Sequence, residues 1–333
     1  MKAVKATMKA LYSTANTEPL VCRLAVAERP VPDLRPSTVL VKVHASGVNP
    51  SDAANGLRNL FGCPKPNIPG RDFAGVVYAS HSHAALPAGT PVYGTSGNAL
   101  SFTQDGTAAE FVLVPEAAVV PKPSRLSFAQ AGAVGVPYTT ALLALEAART
   151  RPGVDAVLVL GATGSVGRAA VRIARTWGCP VVTASRRDST DINILSDPDL
   201  QGVRPHLGGK GPDVVIDAVG SATLMSRAMT ILAPRGRYCV LAGFKGEPPE
   251  YGLNLVSLYR NAHTICGVNS IAQSPEEVGD LMRRLAVMFD EMGLEPPAED
   301  ELIPVPIEKG VEAYEEAMKF TGKKHVILFG ESS

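Results

Sequence analysis

The feature that most constrains the fold is a short apolar run that leads directly into a glycine-rich turn and a helical pattern. Ala156–Leu160 (AVLVL) is apolar throughout, as a parallel strand covered on both faces must be. Gly161–Gly167 (GATGSVG) follows, and Val166–Trp177 has the periodicity of a helix that ends at Gly178. In this context glycines allow a tight bend and let phosphate groups approach the helix N-terminus. The sequence therefore predicts a dinucleotide-binding strand–turn–helix unit.

The turn is expected to hold the pyrophosphate of the dinucleotide. Its pattern is A-x-G-x-x-G, because Ala162 stands where the usual fingerprint has its first glycine. The residues predicted to bind the cofactor here are Gly161, Thr163, Gly164, Ser165, Val166 and Gly167. The alternative is a tight turn that binds no ligand.

The end of the next predicted strand indicates the form of the cofactor. Pro180–Ala184 is followed by Ser185, Arg186 and Arg187, where NAD-preferring sites usually place an acidic residue. Guanidinium groups bind a phosphate dianion through paired charge-assisted hydrogen bonds, so the sequence predicts NADPH. Two alternatives stay open: the arginines are solvated loop charges, or Asp188 turns inward and favours NADH.

The rest of the chain divides into a β-rich part and an alternating part. Strands are predicted over Met8–Tyr12, Val39–His44, Phe73–Ala79, Thr90–Gly94, Glu110–Val114, Asp213–Ala218, Arg237–Ala242, His263–Val268 and His325–Phe329. Helices are predicted over Phe128–Val134, Thr139–Arg149, Met225–Leu232 and Pro275–Met292. The alternation after residue 125 implies βαβ units, a parallel sheet and an α/β fold. The segment between Arg187 and Gly211 lacks this pattern, which predicts a shortened unit there.

The composition favours a small-molecule substrate as the partner over nucleic acid or a membrane. The charged residues make up 19% of the chain and are balanced, 32 basic against 32 acidic, so no net field favours nucleic acid or an anionic membrane. The sequence shows no apolar run of the roughly 18 residues that a membrane span needs, and no apolar core of a signal peptide near its N-terminus. The five cysteines lack C-x-x-C spacing and are interpreted as reduced thiols of a cytoplasmic protein.

Several further motifs follow one another in a fixed order. They are Gly47–Asp52 (GVNPSD), Pro69–Val77 (PGRDFAGVV), Asp105–Phe111 (DGTAAEF), Asp213–Gly220 (DVVIDAVG) and Leu241–Phe244 (LAGF). Together with the glycine turn they resemble the medium-chain dehydrogenase/reductase superfamily, specifically its zinc-independent quinone oxidoreductase-like branch, over nearly the whole chain. The resemblance implies a GroES-like, mostly β catalytic domain at 1–125, a Rossmann NADPH-binding domain with a doubly wound parallel sheet at 126–268, and a return to the catalytic domain at 269–333.

The same resemblance predicts that no metal is bound. Zinc-dependent members of the superfamily place a Cys where this chain has Asn49, a His where it has Arg71, and a second Cys near Gly135 or Val136. None of these residues supplies the thiolate, imidazole or carboxylate ligands that Zn²⁺ requires. The tight histidine pair at 81 and 83 has no thiol nearby and is interpreted as solvated.

Carried over residue by residue, the resemblance also implies a set of functional side chains. The implied cofactor contacts outside the turn are Pro50, Asp52, Thr140, Gly243, Phe244, Asn269 and Lys323, with Lys324 as the alternative to Lys323, and they add to the predicted contacts Ser185, Arg186 and Arg187. Asn49 and Tyr138 are the candidate catalytic residues, in the cleft between the two domains. Each has a structural alternative, which for Tyr138 is a buried aromatic residue whose hydroxyl is already bonded.

The predicted activity is hydride transfer from NADPH to a quinone or an α,β-unsaturated carbonyl, and a homodimer is expected. Without zinc, the developing oxyanion must be met by hydrogen-bond donors of the protein or by water. Tyr138 is the predicted donor. The alternative is an NADPH-binding protein with a sensing or specialised biosynthetic role and little general reductase activity, because a fold does not determine a function.

Overall fold

The computed structural model describes residues 6–15, 22–64, 67–81, 86–243 and 252–330. The chain forms two units, one from Met1–Thr139 with Ile271–Ser333, the other from Thr140–Ser270. The sequence placed the domain boundaries at 125/126 and 268/269. The second boundary lies two residues from the observed division, whereas the first precedes a helix, Phe128–Ala147 (α2), that contributes to both units.

The remaining elements are as follows. The strands are β1 (Thr7–Ala15), β2 (Cys22–Pro30), β3 (Thr38–Gly47), β4 (Phe73–Ser80), β5 (Pro91–Gly94), β6 (Phe111–Pro115), β7 (Val120–Pro121), β8 (Val157–Leu160), β9 (Val181–Ser185), β10 (Ile192–Asn193), β11 (Val214–Asp217), β12 (Arg237–Val240), β13 (Thr264–Gly267), β14 (Leu302–Pro306) and β15 (Lys324–Leu328). The helices are α1 (Pro50–Arg58), α3 (Ser165–Thr176), α4 (Val203–His206), α5 (Ala222–Ile231), α6 (Leu255–Arg260), α7 (Pro275–Glu291) and α8 (Gly310–Ala317).

The first unit is mostly β. Its main sheet has the order β14-β15-β3-β4-β5-β7, with β6 also paired to β3, while β1 and β2 form a separate antiparallel pair. The strand predicted over Val39–His44 is confirmed as part of β3, and its Val39, Val41 and Val43 are buried in the core of this unit. Val39 and Val41 lie opposite Val114 and Val112 of β6, so matched β-branched residues hold the two strands in register.

The second unit is built on a parallel sheet, as predicted. Its strands have the order β10-β9-β8-β11-β12-β13, and each of these pairings is parallel. The apolar run of β8 is buried along its whole length between β9 and β11. The strand order reverses at β8, and its carboxyl end is where a doubly wound sheet binds ligands.

Two sequence expectations about this region have different outcomes. The predicted shortening after Arg187 is confirmed, because the segment contains only the two-residue β10 and the four-residue α4 among its regular elements. The prediction of two helices before β8 is wrong, because α2 runs unbroken from Phe128 to Ala147 with Pro137 inside it. α2 has the length and apolarity of a membrane span, but 72% of the relevant window is buried, as in any core helix.

Candidate functional site

The turn after β8 has a backbone that requires glycine at two positions. Gly161 has a φ of 77°, in the left-handed region, and its N–H donates to the Ala184 carbonyl at 2.9 Å. A Cβ on Gly167 would lie 2.2 Å from the Gly161 carbonyl oxygen, so α3 packs too closely for a side chain. Gly164, the N-cap of α3, differs, because a Cβ there would meet the Gly161 oxygen at 3.4 Å and no other described atom within 4 Å. The space beside Gly164 is therefore open to a ligand.

The surroundings of the turn fit a nicotinamide dinucleotide. The first N–H groups of the 12-residue α3 carry a partial positive charge that suits a pyrophosphate. Thr163, Ser165 and Val166 are partly exposed around it. Thr140 Oγ1, also in the second unit, is buried and has no hydrogen-bond partner among the described residues.

Asp217, at the end of β11, supports the loop that packs against the turn. Its carboxylate accepts hydrogen bonds from the amides of Val219 and Gly220, at 2.8 and 3.1 Å, and from the Tyr238 hydroxyl at 2.8 Å. Burial raises the pKa of Asp217, although these donors oppose the shift. The Val219 side chain lies 3.0 Å from where a Cβ on Gly161 would be, so Asp217 positions a direct neighbour of the turn. Asp217 belongs to the Asp213–Gly220 motif of the sequence, which gives this residue no role of its own.

The residues predicted to select NADPH lie directly at the end of β9. Ser185 is the buried last residue of β9 and accepts the Arg187 amide at 3.0 Å, while the side chains of Arg186 and Arg187 are exposed. The Asp188 carboxylate accepts a hydrogen bond from the Asn193 side chain at 2.6 Å. Asp188 thus has a partner within its own loop.

The other predicted cofactor contacts lie at scattered positions within their own units. Gly243 follows β12 and Asn269 follows β13 in the second unit, and both are exposed. Pro50 and Lys323 are exposed in the first unit. Phe244 lies outside the described residues.

The first unit contains a buried group of charged and amide side chains, here termed the Asn49 cluster: Asn49, Asp52, Arg71, Asp72 and Lys324. Each is at most 6% exposed. Arg71 Nε donates to Asp52 Oδ1 at 2.7 Å, and Lys324 Nζ donates to Asp72 Oδ2 at 2.9 Å. Two carboxylates are thus matched by two cations, as buried charges require.

Asn49 joins the two ion pairs. Its Nδ2 donates to Asp52 Oδ2 at 2.8 Å and to Asp72 Oδ2 at 2.9 Å, while its Oδ1 accepts from Lys324 Nζ at 2.7 Å. The amide has one orientation, because reversal would set its NH₂ group against the ammonium and its oxygen against two carboxylates. Lys324 uses two of its three N–H donors on Asn49 and Asp72.

Local structure places each member of the cluster. Asn49 is the N-cap of α1, and Asp52, at the N3 position, accepts its backbone N–H at 3.2 Å as in a capping box. Arg71 and Asp72 lead into β4 after Gly70, whose φ of 99° permits the turn. Lys324 is the first residue of β15, which is hydrogen-bonded to β3.

The resemblance puts a third zinc ligand at Gly135 or Val136. In this chain Val136 donates a hydrogen bond to Asp72, and Gly135 leaves room for the Asp72 carboxylate. The Val136 N–H donates to Asp72 Oδ1 at 2.8 Å. A Cβ on Gly135 would lie 2.5 Å from that same oxygen, so a side chain here would displace the carboxylate.

The Asn49 cluster does not fit a zinc ion. The oxygen of Asn49 accepts from an ammonium, and Arg71 is paired with Asp52. Zn²⁺ sites use thiolate, imidazole and carboxylate ligands, and two cations already at the site would repel a third. Within the described residues, no three His, Cys, Asp or Glu side chains are arranged to hold a metal.

Tyr138, the predicted donor, is buried in the first unit. Its hydroxyl donates to the Glu295 carbonyl at 3.0 Å, and its ring centroid lies 5.3 Å from that of Phe289. The hydroxyl proton is therefore already bonded to the backbone, which favours the structural alternative for Tyr138. Lys324, predicted only as the alternative to Lys323, has a buried ammonium in this unit.

Comparison with known proteins places both parts of the chain. Residues 35–124 match the alcohol dehydrogenase GroES-like domain, and residues 165–286 match the zinc-binding dehydrogenase family. These matches confirm the GroES-like β domain and the Rossmann sheet.

Whole-length similarities agree with these matches. A zinc-type alcohol dehydrogenase-like protein of Schizosaccharomyces pombe is 42% identical over 283 residues, which cover 85% of each chain. The quinone oxidoreductase of Sus scrofa is 31% identical over 90% of this chain and 91% of its own. The Bacillus subtilis protein yhfP, solved with NAD bound, superposes with a TM-score of 0.77 at 22% identity, covering 98% of this chain and 100% of its own, which shows the shared fold.

Proposed function

Because the chain belongs to the medium-chain dehydrogenase/reductase superfamily, we propose that this oxidoreductase is a zinc-independent member that transfers hydride from NADPH to a quinone or an α,β-unsaturated carbonyl. The observation that carries the proposal is the Asn49 cluster. Asn49 and Arg71 stand where the superfamily's zinc enzymes have metal ligands, and here they are hydrogen-bonded to the Lys324 ammonium and to the Asp52 carboxylate, respectively.

The choice of NADPH rests on the end of β9. Arg186 and Arg187 are exposed there, and Asp188 is hydrogen-bonded to Asn193. A 2′-phosphate carries close to two negative charges and is bound well by guanidinium groups. NADH is the alternative, because the structurally similar Bacillus subtilis protein yhfP was solved with NAD bound.

The cofactor, when bound, supplies the hydride, and the residues of the chain provide binding, orientation and charge. The open space at Gly164 and the N-terminus of α3 would hold the pyrophosphate. Lys324 is the cation that we assign to the developing oxyanion, through the one N–H that it does not use on Asn49 or Asp72. Asp72 and Asn49 hold the ammonium in place. No step requires Tyr138.

The class of acceptor follows from how strongly a single ammonium group can polarise the carbonyl of the substrate. An isolated carbonyl takes the full charge of the hydride on one oxygen, for which metal-dependent enzymes use Lewis acidity. A quinone or enone spreads the charge over its conjugated system, so one ammonium and water suffice. We therefore expect conjugated acceptors to be reduced faster than simple aldehydes.

The test is NADPH oxidation by the purified protein with 1,4-benzoquinone, cyclohexenone and hexanal. The proposal predicts turnover of at least one conjugated acceptor at a rate at least tenfold above that of hexanal. Faster reduction of hexanal would overturn the acceptor class. Tight NADPH binding without turnover of any acceptor would favour the sensing alternative over catalysis.

We further propose that the active species is a cytoplasmic homodimer acting on a small molecule. Light scattering at micromolar concentration tests the assembly, and the mass of a single chain would contradict it.

A further inference from the structure

Asp217, the last residue of β11, has a fully buried carboxylate whose charge is met by uncharged donors. Its Oδ1 accepts the backbone N–H groups of Val219 and Gly220, at 2.8 and 3.1 Å, and its Oδ2 accepts the Tyr238 hydroxyl at 2.8 Å. A buried charge is costly unless hydrogen bonds satisfy it, and bonds to a charged group are stronger than bonds between neutral groups. The carboxylate therefore fixes the backbone of the 218–220 loop at the end of β11.

The 218–220 loop also packs against the chain on both sides of it. A Cβ on Gly161, in the turn after β8, would lie 3.0 Å from Val219 Cγ2. Gly220 has a φ of 73°, and a Cβ there would lie 2.3 Å from the carbonyl oxygen of Gly243, which follows β12. These two close contacts leave the loop little room to shift. The carboxylate thus links the carboxyl ends of three neighbouring strands, β8, β11 and β12.

The order of the strands indicates which half of a dinucleotide meets this loop. Arg186 and Arg187 follow β9 and are assigned to the 2′-phosphate of the adenosine half, and the space beside Gly164, after β8, is assigned to the pyrophosphate. In the sheet β9, β8, β11 and β12 are consecutive neighbours, spaced about 4.8 Å apart. A dinucleotide that follows the carboxyl edge from β9 to β8 therefore reaches β11 and β12 with its other half, the nicotinamide riboside.

We propose that Asp217 is a positioning residue for the nicotinamide half of the cofactor. It acts through the backbone of Val219 and Gly220, which its carboxylate holds in place for the nicotinamide riboside to lie against, and it is itself fully buried. This role rests on the proposed function, because it takes a nicotinamide dinucleotide as the cofactor, and it deepens that function by naming a residue that positions the reactive half.

Two substitutions of Asp217 separate its hydrogen bonds from its charge. Asp217→Asn keeps an oxygen for both loop amides, and its NH₂ group can donate to the Tyr238 oxygen, so the loop should stay in place. Asp217→Ala leaves both amides without this acceptor, and the cofactor must then order the loop itself, which lowers its affinity. Asp213→Ala is the matched control, because Asp213 immediately precedes β11, at the opposite end of the strand, and its Oδ2 accepts the Ala156 N–H at 2.9 Å.

The test is calorimetric titration of the full-length folded variants with NADPH and with 2′,5′-ADP, which carries only the adenosine half and its phosphates. Asp217→Ala should weaken NADPH binding about tenfold or more and 2′,5′-ADP binding less than about twofold. Asp217→Asn should stay within about threefold of the wild type for NADPH. Asp213→Ala should lower thermal stability and leave both affinities unchanged. A merely structural role for Asp217 would give the same result as Asp213→Ala, or would weaken the binding of both ligands alike.

Parallel titrations with NADH and 5′-AMP distinguish this role from the proposed function. A wild type that binds NADH more tightly overturns the choice of NADPH, and NADH with 5′-AMP then tests Asp217 in the same way. A wild type that binds neither dinucleotide overturns both. The role of Asp217 alone is overturned by a folded Asp217→Ala protein that binds the preferred dinucleotide as the wild type does, or that loses the dinucleotide and its fragment equally. Binding by Asp217→Asn as weak as that by Asp217→Ala also overturns it.

Circular dichroism establishes that each variant is folded. If Asp217→Ala does not fold, amide hydrogen exchange of the wild type decides. Bound NADPH should slow exchange in peptides that cover residues 218–222 and 241–243, and 2′,5′-ADP should slow it much less. Equal protection of these peptides by the two ligands would overturn the proposal.

Discussion

The Lys324 ammonium lies 2.9 Å from Asp72 Oδ2, and the two residues are buried together although 252 positions separate them in the sequence. Asn49 bonds to both, and Asp52 and Arg71 extend the contact into a second ion pair. The Asn49 cluster is thus a charge-balanced group that holds a cation by means of side chains alone.

Removing one partner of this pair should be much more costly than removing both. Lys324→Met leaves Asp72 charged and uncompensated, and we expect it to lower the free energy of unfolding by about 3–5 kcal/mol. Adding Asp72→Asn, which keeps the bond from Val136, should recover part of that loss. Urea unfolding of the two single variants and the double variant measures the coupling. Lys323→Met, at the exposed neighbouring position, should change stability by about 0.5 kcal/mol or less. Additive effects would mean that the pair does not act as a unit.

Gly164 and Gly167 should respond differently to substitution. Gly164→Val has room in the protein and occupies the space assigned to the pyrophosphate, so it should abolish cofactor binding while the chain stays folded. Gly167→Ala places a Cβ 2.2 Å from the Gly161 oxygen and should destabilise the second unit itself. NADPH titration and thermal unfolding distinguish the two effects. A folded Gly164→Val protein with normal NADPH affinity would show that the turn is not the binding site.

We predict that the protein binds NADPH more tightly than NADH and that the two arginines after β9 cause the difference. Arg186→Ala/Arg187→Ala removes the charge partners of the 2′-phosphate, and the loss should be about 1.5–3 kcal/mol, roughly ten- to a hundredfold in NADPH affinity. The NADH affinity should change little. Arg204→Ala removes one charge from the exposed surface of α4 and is the control. Equal affinities of the wild type for the two cofactors would show that the arginines do not set specificity.

Tyr138→Phe should affect stability more than turnover. The hydroxyl bonds to the Glu295 carbonyl, and its loss leaves that acceptor without this donor, at a cost of about 0.5–1.5 kcal/mol in unfolding free energy. The rate of NADPH oxidation should stay within about twofold of the wild type. A fall in kcat of tenfold or more, with cofactor binding retained, would instead give Tyr138 the role of an oxyanion donor.

The helices, strands and turns that depend on a local pattern of residues could be predicted from the sequence. The apolar β8, the glycine turn and α3 are contiguous, and their periodicities leave little choice of structure. α1 was missed because Asn55 and Gly56 are poor helix formers, and its start depends on the Asn49–Asp52 capping box. α2 was divided because Pro137 usually ends a helix, whereas buried packing of an apolar helix overrides that preference here.

The Asn49 cluster could be predicted only in part. The motif resemblance predicted Asn49 and Asp52 as site residues, and these two are close in sequence. A single sequence does not show that Lys324 contacts Asp72, because this contact depends on the pairing of β15 with β3. The available signal was a lysine at the start of an apolar strand, where a buried charge requires a partner.

Metal content and activity measured in one preparation decide whether the cation that meets the developing oxyanion is the Lys324 ammonium or a metal ion. Protein purified without a metal-affinity step is analysed for zinc, and NADPH oxidation with the best conjugated acceptor is measured before and after dialysis against a chelator. We expect far less than one zinc ion per chain and an unchanged rate. About one zinc per chain, with activity that is lost on chelation and restored by added Zn²⁺, would contradict it.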